Sequence, residues 1–256
     1  MQACTPKQAF VGRFDRISHV AMTGSTNDDM ARMLGEERAR GLALVADYQQ
    51  QGAGRKGRSW LAPPGSALLC TIGLPDPLPA SDLWVVPYWI AVVVRDALTQ
   101  CGIDPVLQWP NDVLIGGRKA AGILCVSRVT GEYAWVGCGV GVNVRRPDDP
   151  HAIAGITPPP AYLSDGAPQI ERDAVLHAML RVADERYDEL HSPARVTHAW
   201  ESAAHLPGAR YRILLDGQQE PFEATALRLL IGGALLVDHD GAQREITLAD
   251  ARVLRA

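Results

Sequence analysis

The chain has 256 residues, 47% of them apolar, and a formal net charge of −4. That length can bury a core without a metal or disulfide staple, and it leaves room for one large domain or a large one plus a small one. The acidic balance argues against a dedicated nucleic-acid or membrane-surface binder. Five scattered cysteines without a CxxC pair (Cys4, Cys70, Cys101, Cys125, Cys138) set structural zinc aside and suit a reducing cytoplasm.

The start shows no cationic stretch leading into an apolar segment, and the longest apolar run, Leu83 to Val94, is broken by Pro87 and too short for a bilayer. Neither a secretory leader nor a membrane anchor is expected. Ser25-Thr26-Asn27 precedes a helical pattern with Met30, Ala31, Met33 and Leu34 apolar and Gly35 near its end. Ser25 or Thr26 is expected to cap that helix. Leu42 to Ala46 reads as a buried strand, Ala67 to Leu74 as another, and Asp82 to Cys101 as a helix with Pro87 tolerable in its first turn. Pro105 to Trp109 is a short strand. Val113 to Ile115, Gly116-Gly117 and Lys119 to Val129 form a predicted hairpin, with Glu132 to Val144 antiparallel beyond it. Arg145 to Pro168 is a Pro-rich surface loop. Glu171 to Leu190 is the clearest helix, and about 193 to 204 gives one more. After Pro207-Gly208, short strands separated by turn dipeptides predict a small β-barrel of about fifty residues. The expected organisation is a mixed α+β domain over 1–206 and an all-β domain over 207–256.

Four segments carry chemistry. Gln49 to Trp60 places Gly52, Gly54 and Gly57 among Arg55, Lys56 and Arg58 and ends in a Trp. Glycines let backbone N–H groups approach an anion, and the cations supply charge-assisted donors, so the loop is suited to close over something negative. It lacks the Gly-Lys-Ser/Thr end of a P-loop and the glycine pattern of a dinucleotide fingerprint. Trp109-Pro110-Asn111-Asp112 is followed by Lys119-Ala120-Ala121-Gly122-Ile123-Leu124, so Asp112 and Lys119 lie on opposite arms of the hairpin and can face each other. Gly137-Cys138-Gly139-Val140-Gly141-Val142-Asn143 alternates glycines along a strand, a sign of close approach by a ligand or another backbone. Ser25-Thr26-Asn27 is the fourth. The chain writes twenty-two of its cations as Arg and only three as Lys (Lys7, Lys56 and Lys119), and two of those three fall inside these motifs. A lysine there marks a place for a compact ammonium.

In this order and at these separations, Ser-Thr-Asn, a Gln with a cationic Gly-rich loop ending in Gly-Arg-x-Trp, Trp-Pro-Asn-Asp, Lys-x-x-Gly-Ile-Leu and Gly-x-Gly-x-Asn resemble the biotin protein ligases. The match runs from about residue 20 to 145. The predicted barrel is similar to that family's SH3-like C-terminal domain. The resemblance implies a biotin/lipoate ligase-like catalytic domain that joins biotin to ATP with Mg²⁺ as biotinyl-5′-adenylate. It then transfers the acyl group to a lysine of the biotin carboxyl carrier protein of acetyl-CoA carboxylase or a related carboxylase. It assigns Ser25, Thr26, Asn27, Gln49, Gly54, Arg55, Lys119 and Gly122 to biotin, and Arg55, Arg58, Trp60, Asn111, Lys119 and Asn143 to the nucleotide. Arg55, Lys119 and Asp112 are the catalytic candidates, with Asp112 either orienting the acceptor amine or helping to hold Mg²⁺. No protein-held metal site is implied.

Two positions depart from the family pattern. Ala53 stands where a first loop arginine is usual, and Gln108 where a lysine usually precedes Trp-Pro-Asn-Asp. Ser25 comes about two dozen residues in, which implies the monofunctional type without the N-terminal DNA-binding domain. A sheet edge could pair two protomers into a homodimer. The rival readings are a lipoate ligase or octanoyl transferase of the same fold, a non-catalytic biotin- or nucleotide-binding protein, and, weakest, a nucleic-acid binder.

Overall fold

The computed structural model describes residues 11–153, 156–248 and 251–254. Cys4 and Lys7 lie outside them.

Two sheets organise the chain. The larger has eight strands: β1 (Arg16–Thr23), β2 (Leu42–Gln49), β3 (Ala67–Gly73), β4 (Leu78–Pro79), β5 (Val106–Gln108), β6 (Asp112–Ile115), β7 (Arg118–Thr130) and β8 (Tyr133–Asn143). Its order is β1-β2-β3-β8-β7-β6-β5, with β4 paired to the start of β8. Only β1 and β2 run parallel; the other pairs are antiparallel. The mixed α+β architecture expected from the sequence is therefore present, and its sheet is itself mixed. The alternation of side chains along each strand then sorts the two faces. Leu68, Cys70, Ile72, Cys138, Val140 and Val142 point into the main core, beneath the helices α2 (Val86–Gln100), α3 (Arg172–Glu185) and α4 (Pro193–Ala203). The opposite face carries α1 (Thr26–Met33), whose Met30 packs with Leu34, Ala39, Leu42 and Leu44 in a smaller cluster.

Helix α2 is buried nearly all round, with Tyr88, Trp89, Ile90, Val93, Val94 and Leu98 all under 2% exposed. Such a helix can only sit between layers. Pro87 falls in its first turn, where no N–H is missed. It ends where Gly102 takes φ 80°: Gly102 N–H donates to Thr99 O at 2.9 Å and Ile103 N–H to Leu98 O at 3.0 Å.

The second sheet is antiparallel and comprises β9 (Arg210–Leu215), β10 (Phe222–Leu229), β11 (Leu235–His239), β12 (Ala242–Ile246) and β13 (Ala251–Leu254), in the order β12-β11-β10-β9-β13. Its apolar face (Ile213, Ala226, Leu235, Val237) is continuous with the main core. Among the hydrogen bonds that fasten it to the rest of the chain are three to α2 and to Trp109, just after β5. Tyr88 Oη donates to Gly233 O at 2.6 Å, Trp109 Nε1 to the same carbonyl at 3.1 Å, and Trp109 N–H to Tyr211 Oη at 3.0 Å. Burial pushes the Tyr211 hydroxyl up to about 12, so it stays protonated beside Trp109.

Two elements differ from expectation. β1 was not foreseen because Arg16–Thr23 is an edge strand with most side chains in solvent, so its mix of polar and apolar residues shows no clear in-out alternation. The helix expected to reach Leu190 stops at Glu185, and Tyr187–His191 forms a tight 3₁₀ turn. Arg186 O there accepts a bond from Trp89 Nε1 at 2.9 Å instead of continuing the ladder.

Candidate functional site

On the α1 side of the large sheet the backbone leaves a cavity of about 260 Å³. It is lined by Ser25, Thr26, Asn27, Gln49, Gly54, Arg55, Arg58, Trp60, Asn111, Lys119, Gly122 and Asn143, residues separated by up to 118 positions in the chain. Asp112 is the one sequence-predicted site residue outside that lining. It lies behind Lys119, whose Nζ is 2.5 Å from Asp112 Oδ1.

The floor is made by missing side chains. A Cβ at Gly139 would lie 2.2 Å from Asn27 Oδ1 and 2.5 Å from Leu124 O. One at Gly141 would lie 2.6 Å from the Trp60 ring, and one at Gly122 2.9 Å from both Lys119 Nζ and that ring. The close approach inferred from the glycine alternation is therefore made by Asn27 and Trp60 of the protein itself. These glycines share a face because Gly122 pairs with Gly141 and Leu124 with Gly139.

Lys119 reaches the same face through an irregularity. Leu114 pairs with Lys119 but Val113 with Ala121, so Ala120 is an extra residue in β7. This bulge turns Lys119, Gly122 and Asp112 to one side, which a regular ladder would not do. Burial first, and then the positive Arg58, pull the Lys119 ammonium down to about 8. Lys119 Nζ also stands 5.3 Å from the centre of the Trp60 ring, within cation–π range.

At the other end of the cavity the polar groups are neutral. Gln49 Oε1 accepts from Thr26 N–H at 2.8 Å and from Thr26 Oγ1 at 2.9 Å. Thr71 Oγ1 lies 2.9 Å from Thr26 Oγ1 and 2.8 Å from Asn27 Oδ1, and Asn27 Nδ2 donates to Leu124 O at 2.9 Å. The expected cap is thus corrected: Ser25 is the N-cap residue but makes no side-chain cap bond, and Gln49 satisfies the first turn of α1 from β2. Thr71 was missed, although it is the only hydroxyl in the apolar strand Ala67–Gly73.

Over the cavity, residues 52–60 form a hairpin-like flap. Trp60 N–H donates to Gly52 O at 2.7 Å, Gly54 N–H to Arg58 O at 2.6 Å, and Ala53 bridges Ser59. Ala53, at the position of the missing arginine, lines the cavity; Gln108 does not. Arg55 lines the cavity while its Nη2 donates to Leu248 O at 2.8 Å, and its burial lowers the guanidinium's pKa. Trp60 Nε1 is buried without a protein acceptor among the described residues, an opening for a ligand acceptor. Asn111 Nδ2 donates to Ile123 O at 2.7 Å, and Asn143 Nδ2 to Ala161 O at 3.2 Å and Lys119 O at 3.3 Å. Ile156, Thr157, Pro158 and Pro160 complete the wall. Sequence reasoning saw them only as part of a Pro-rich loop, since nothing in that composition says which way the loop folds.

Among the described residues no group of three or more His, Cys, Asp or Glu side chains is placed to hold a metal ion, and no helix is long and apolar enough to cross a membrane. What the arrangement offers is three cations around one cleft (Arg55, Arg58, Lys119) and a neutral hydrogen-bonding pocket beside it. That suits a ligand with an anionic end and an uncharged polar end.

Residues 20–143 match the model of the biotin/lipoate A/B protein ligase family. The bifunctional ligase/repressor BirA of Escherichia coli is 30% identical over 254 residues, covering 94% of this chain and 75% of that protein. The biotin–[acetyl-CoA-carboxylase] ligase of Mycobacterium tuberculosis is 31% identical over 211 residues, covering 78% of this chain and 75% of that one. Among solved structures, the biotin protein ligase from Aquifex aeolicus in complex with biotin and ATP superposes with a TM-score of 0.75 at 24% identity, covering 95% of this chain and 100% of that one. That likeness speaks for the fold, and the curated relatives speak for kinship. The chain belongs to the biotin protein ligase family.

Proposed function

We infer that this chain is a biotin protein ligase that activates biotin with ATP and transfers the biotinyl group to a lysine of a biotin carboxyl carrier protein, that of acetyl-CoA carboxylase or a related carboxylase. The observation that carries the reading is the convergence of Arg55, Arg58 and Lys119 on one glycine-floored cavity with a neutral polar end.

Ser25, Thr26, Asn27 and Gln49 are assigned to the ureido ring, which needs donors and acceptors together. The biotin carboxylate then points to Lys119 and Arg55. In the first step a carboxylate oxygen attacks the α-phosphorus, forming the acyl–phosphate bond and expelling pyrophosphate. In the second, the carrier lysine's amine attacks the acyl carbon and AMP leaves. Lys119 neutralises the carboxylate and α-phosphate as they approach, and Asp112 positions Lys119. Arg58, Trp60, Asn111 and Asn143 are assigned to the nucleotide, and the flap excludes water from the mixed anhydride. The nucleotide substrate would come as MgATP, whose metal would offset triphosphate charge. The net charge of −4 fits a protein without a DNA partner, and the buried Cys70 and Cys138, not joined in disulfides, fit the cytoplasm. We place the boundary between the catalytic and C-terminal domains at residues 206/207.

Incubating the protein with a carrier domain, biotin and MgATP, with lipoate as competitor, tests the reading by mass spectrometry. One biotinyl group on one lysine, undiminished by lipoate, is the expected product. An unmodified carrier, or a lipoylated one, overturns it.

A further inference from the structure

Lys56 follows Arg55 in the flap but faces away from the cavity. Arg55 lines the cleft and Lys56 does not. Lys56 takes a left-handed backbone, φ 54° and ψ 40°, unfavourable for a residue with a Cβ, and Gly57 continues it at φ 71°. This turn directs Lys56 to the C-terminal sheet, where its Nζ lies 2.7 Å from Asp216 Oδ2 in the turn after β9. Arg55 Nη2 reaches Leu248 O, two residues after β12 of the same sheet.

We propose that the Lys56–Asp216 ion pair is a latch by which the C-terminal sheet holds the flap closed and keeps Arg55 over the cavity. Lys56 and Asp216 are thus positioning residues for retention of the acyl-adenylate, a role that rests on the function proposed above.

The placement of charge supports this division of labour. Adjacent cations would both be drawn to a bound anion, yet one of them is engaged outside by a carboxylate. The lysine side chain is 23% exposed and the aspartate 46%. A pair in that setting shifts an equilibrium by about 1.5- to 5-fold. The latch therefore biases the flap without locking it, as a lid that opens in every turnover requires. A lysine offers one point contact where an arginine would make a planar fork. In a chain with only three lysines, both of those in the motifs are paired with an aspartate at close range.

Hydrogen exchange by mass spectrometry on the full chain reads the latch without any substrate. Asp216→Asn should speed amide exchange across residues 52–60 about 3-fold and leave β3 and β8 unchanged. Raising ionic strength to about 1 M, which shortens the screening length to about 3 Å, should speed the wild-type flap and not the Asp216→Asn flap. The swap Lys56→Asp with Asp216→Lys should return the flap to the wild-type rate, since aspartate tolerates the left-handed backbone. Unchanged exchange in Asp216→Asn, or faster exchange that the swap leaves uncorrected, overturns the latch. In parallel, release of biotinyl-adenylate from Asp216→Asn should be about 3-fold faster. If the flap responds but the wild type forms no adenylate, the functional reading fails and the latch stands. If adenylate forms and flap exchange ignores Asp216, the latch fails and the function stands.

Discussion

Beneath the cavity, Asn27, Thr71, Thr26 and Gln49 hold one another at 2.8–2.9 Å from α1, β3 and β2, on a strand whose glycines leave no spare volume. Above it, residues 52–60 hold themselves with a few main-chain bonds and lean on Leu248 and Asp216 of the other sheet. The bed is built from core strands and does not change without breaking packing. The flap is built from glycines and cations, and its main-chain bonds Gly54–Arg58 and Trp60–Gly52 run within itself. A ligase that makes a water-sensitive anhydride needs both: a fixed bed to align carboxylate and phosphate, and a removable roof to admit substrates and retain the intermediate.

The sharpest way to break this contrast is in the bed. Gly139→Ala would place a methyl 2.2 Å from Asn27 Oδ1 and 2.5 Å from the Leu124 carbonyl, which cannot swing aside. Stability should fall by about 2 kcal/mol and biotin affinity at least about 30-fold, read by thermal melting and calorimetry. A melting curve and affinity like the wild type's would show that the bed is pliable after all.

Removing the bed's cation is next. Lys119→Met should slow biotin-dependent pyrophosphate release about 100-fold while the bed's fold remains. The same ammonium gives a pH signature. It is held down to about 8 from an ordinary 10.5, so the ammonium is half-lost near pH 8, essentially complete about one pH unit below and largely gone about one unit above. In the free enzyme kcat/KM for biotin activation should fall as pH rises through about 8, approaching tenfold per unit. Between about 8 and 10.5 the unfolded chain carries the proton that the folded chain has released, so the ligand-free protein should gain stability as pH rises through that window. A profile flat to about pH 9.5 would mean that Lys119 keeps its proton there and is not held down to about 8.

The smallest expected effect comes from the join between the C-terminal sheet, on which the flap leans, and the chain just after β5. Tyr211→Phe leaves Trp109 N–H without its acceptor while the ring still fills its place. We expect a loss of about 1–2 kcal/mol in chemical denaturation and a smaller loss of activity than Lys119→Met. A loss of activity greater than that of Lys119→Met would give the C-terminal sheet a larger catalytic part than this account allows.

The parts of the molecule that the sequence revealed are those where local chemistry sets geometry. The Gly116-Gly117 turn set Asp112 and Lys119 on facing arms of one hairpin, with Asp112 across from Gly122 and Lys119 across from Leu114, and the alternating glycines marked a close approach that Asn27 and Trp60 make. Features set by long-range packing left no local trace. Strand β1 lies at an edge and fully buries none of its side chains. The extra residue Ala120, which turns Lys119 onto the site face, is an ordinary alanine in an apolar run. The segment 156–160 reads as a loop whether or not it closes a cavity. Ser25-Thr26 reads as a cap because the sequence does not show that Gln49, 23 residues beyond Thr26, fills that role.

The central claim, that Arg55 of the flap and Lys119 of the bed hold one acyl-adenylate between them, is tested most directly by following the intermediate itself. Each protein is incubated with biotin and MgATP, desalted, and the biotinyl-adenylate still bound is measured over time. The account predicts that the wild type keeps it, that Arg55→Gly makes it and loses it at least about tenfold faster, and that Lys119→Met scarcely makes it. Retention by Arg55→Gly equal to the wild type's, or undiminished synthesis by Lys119→Met, would contradict it.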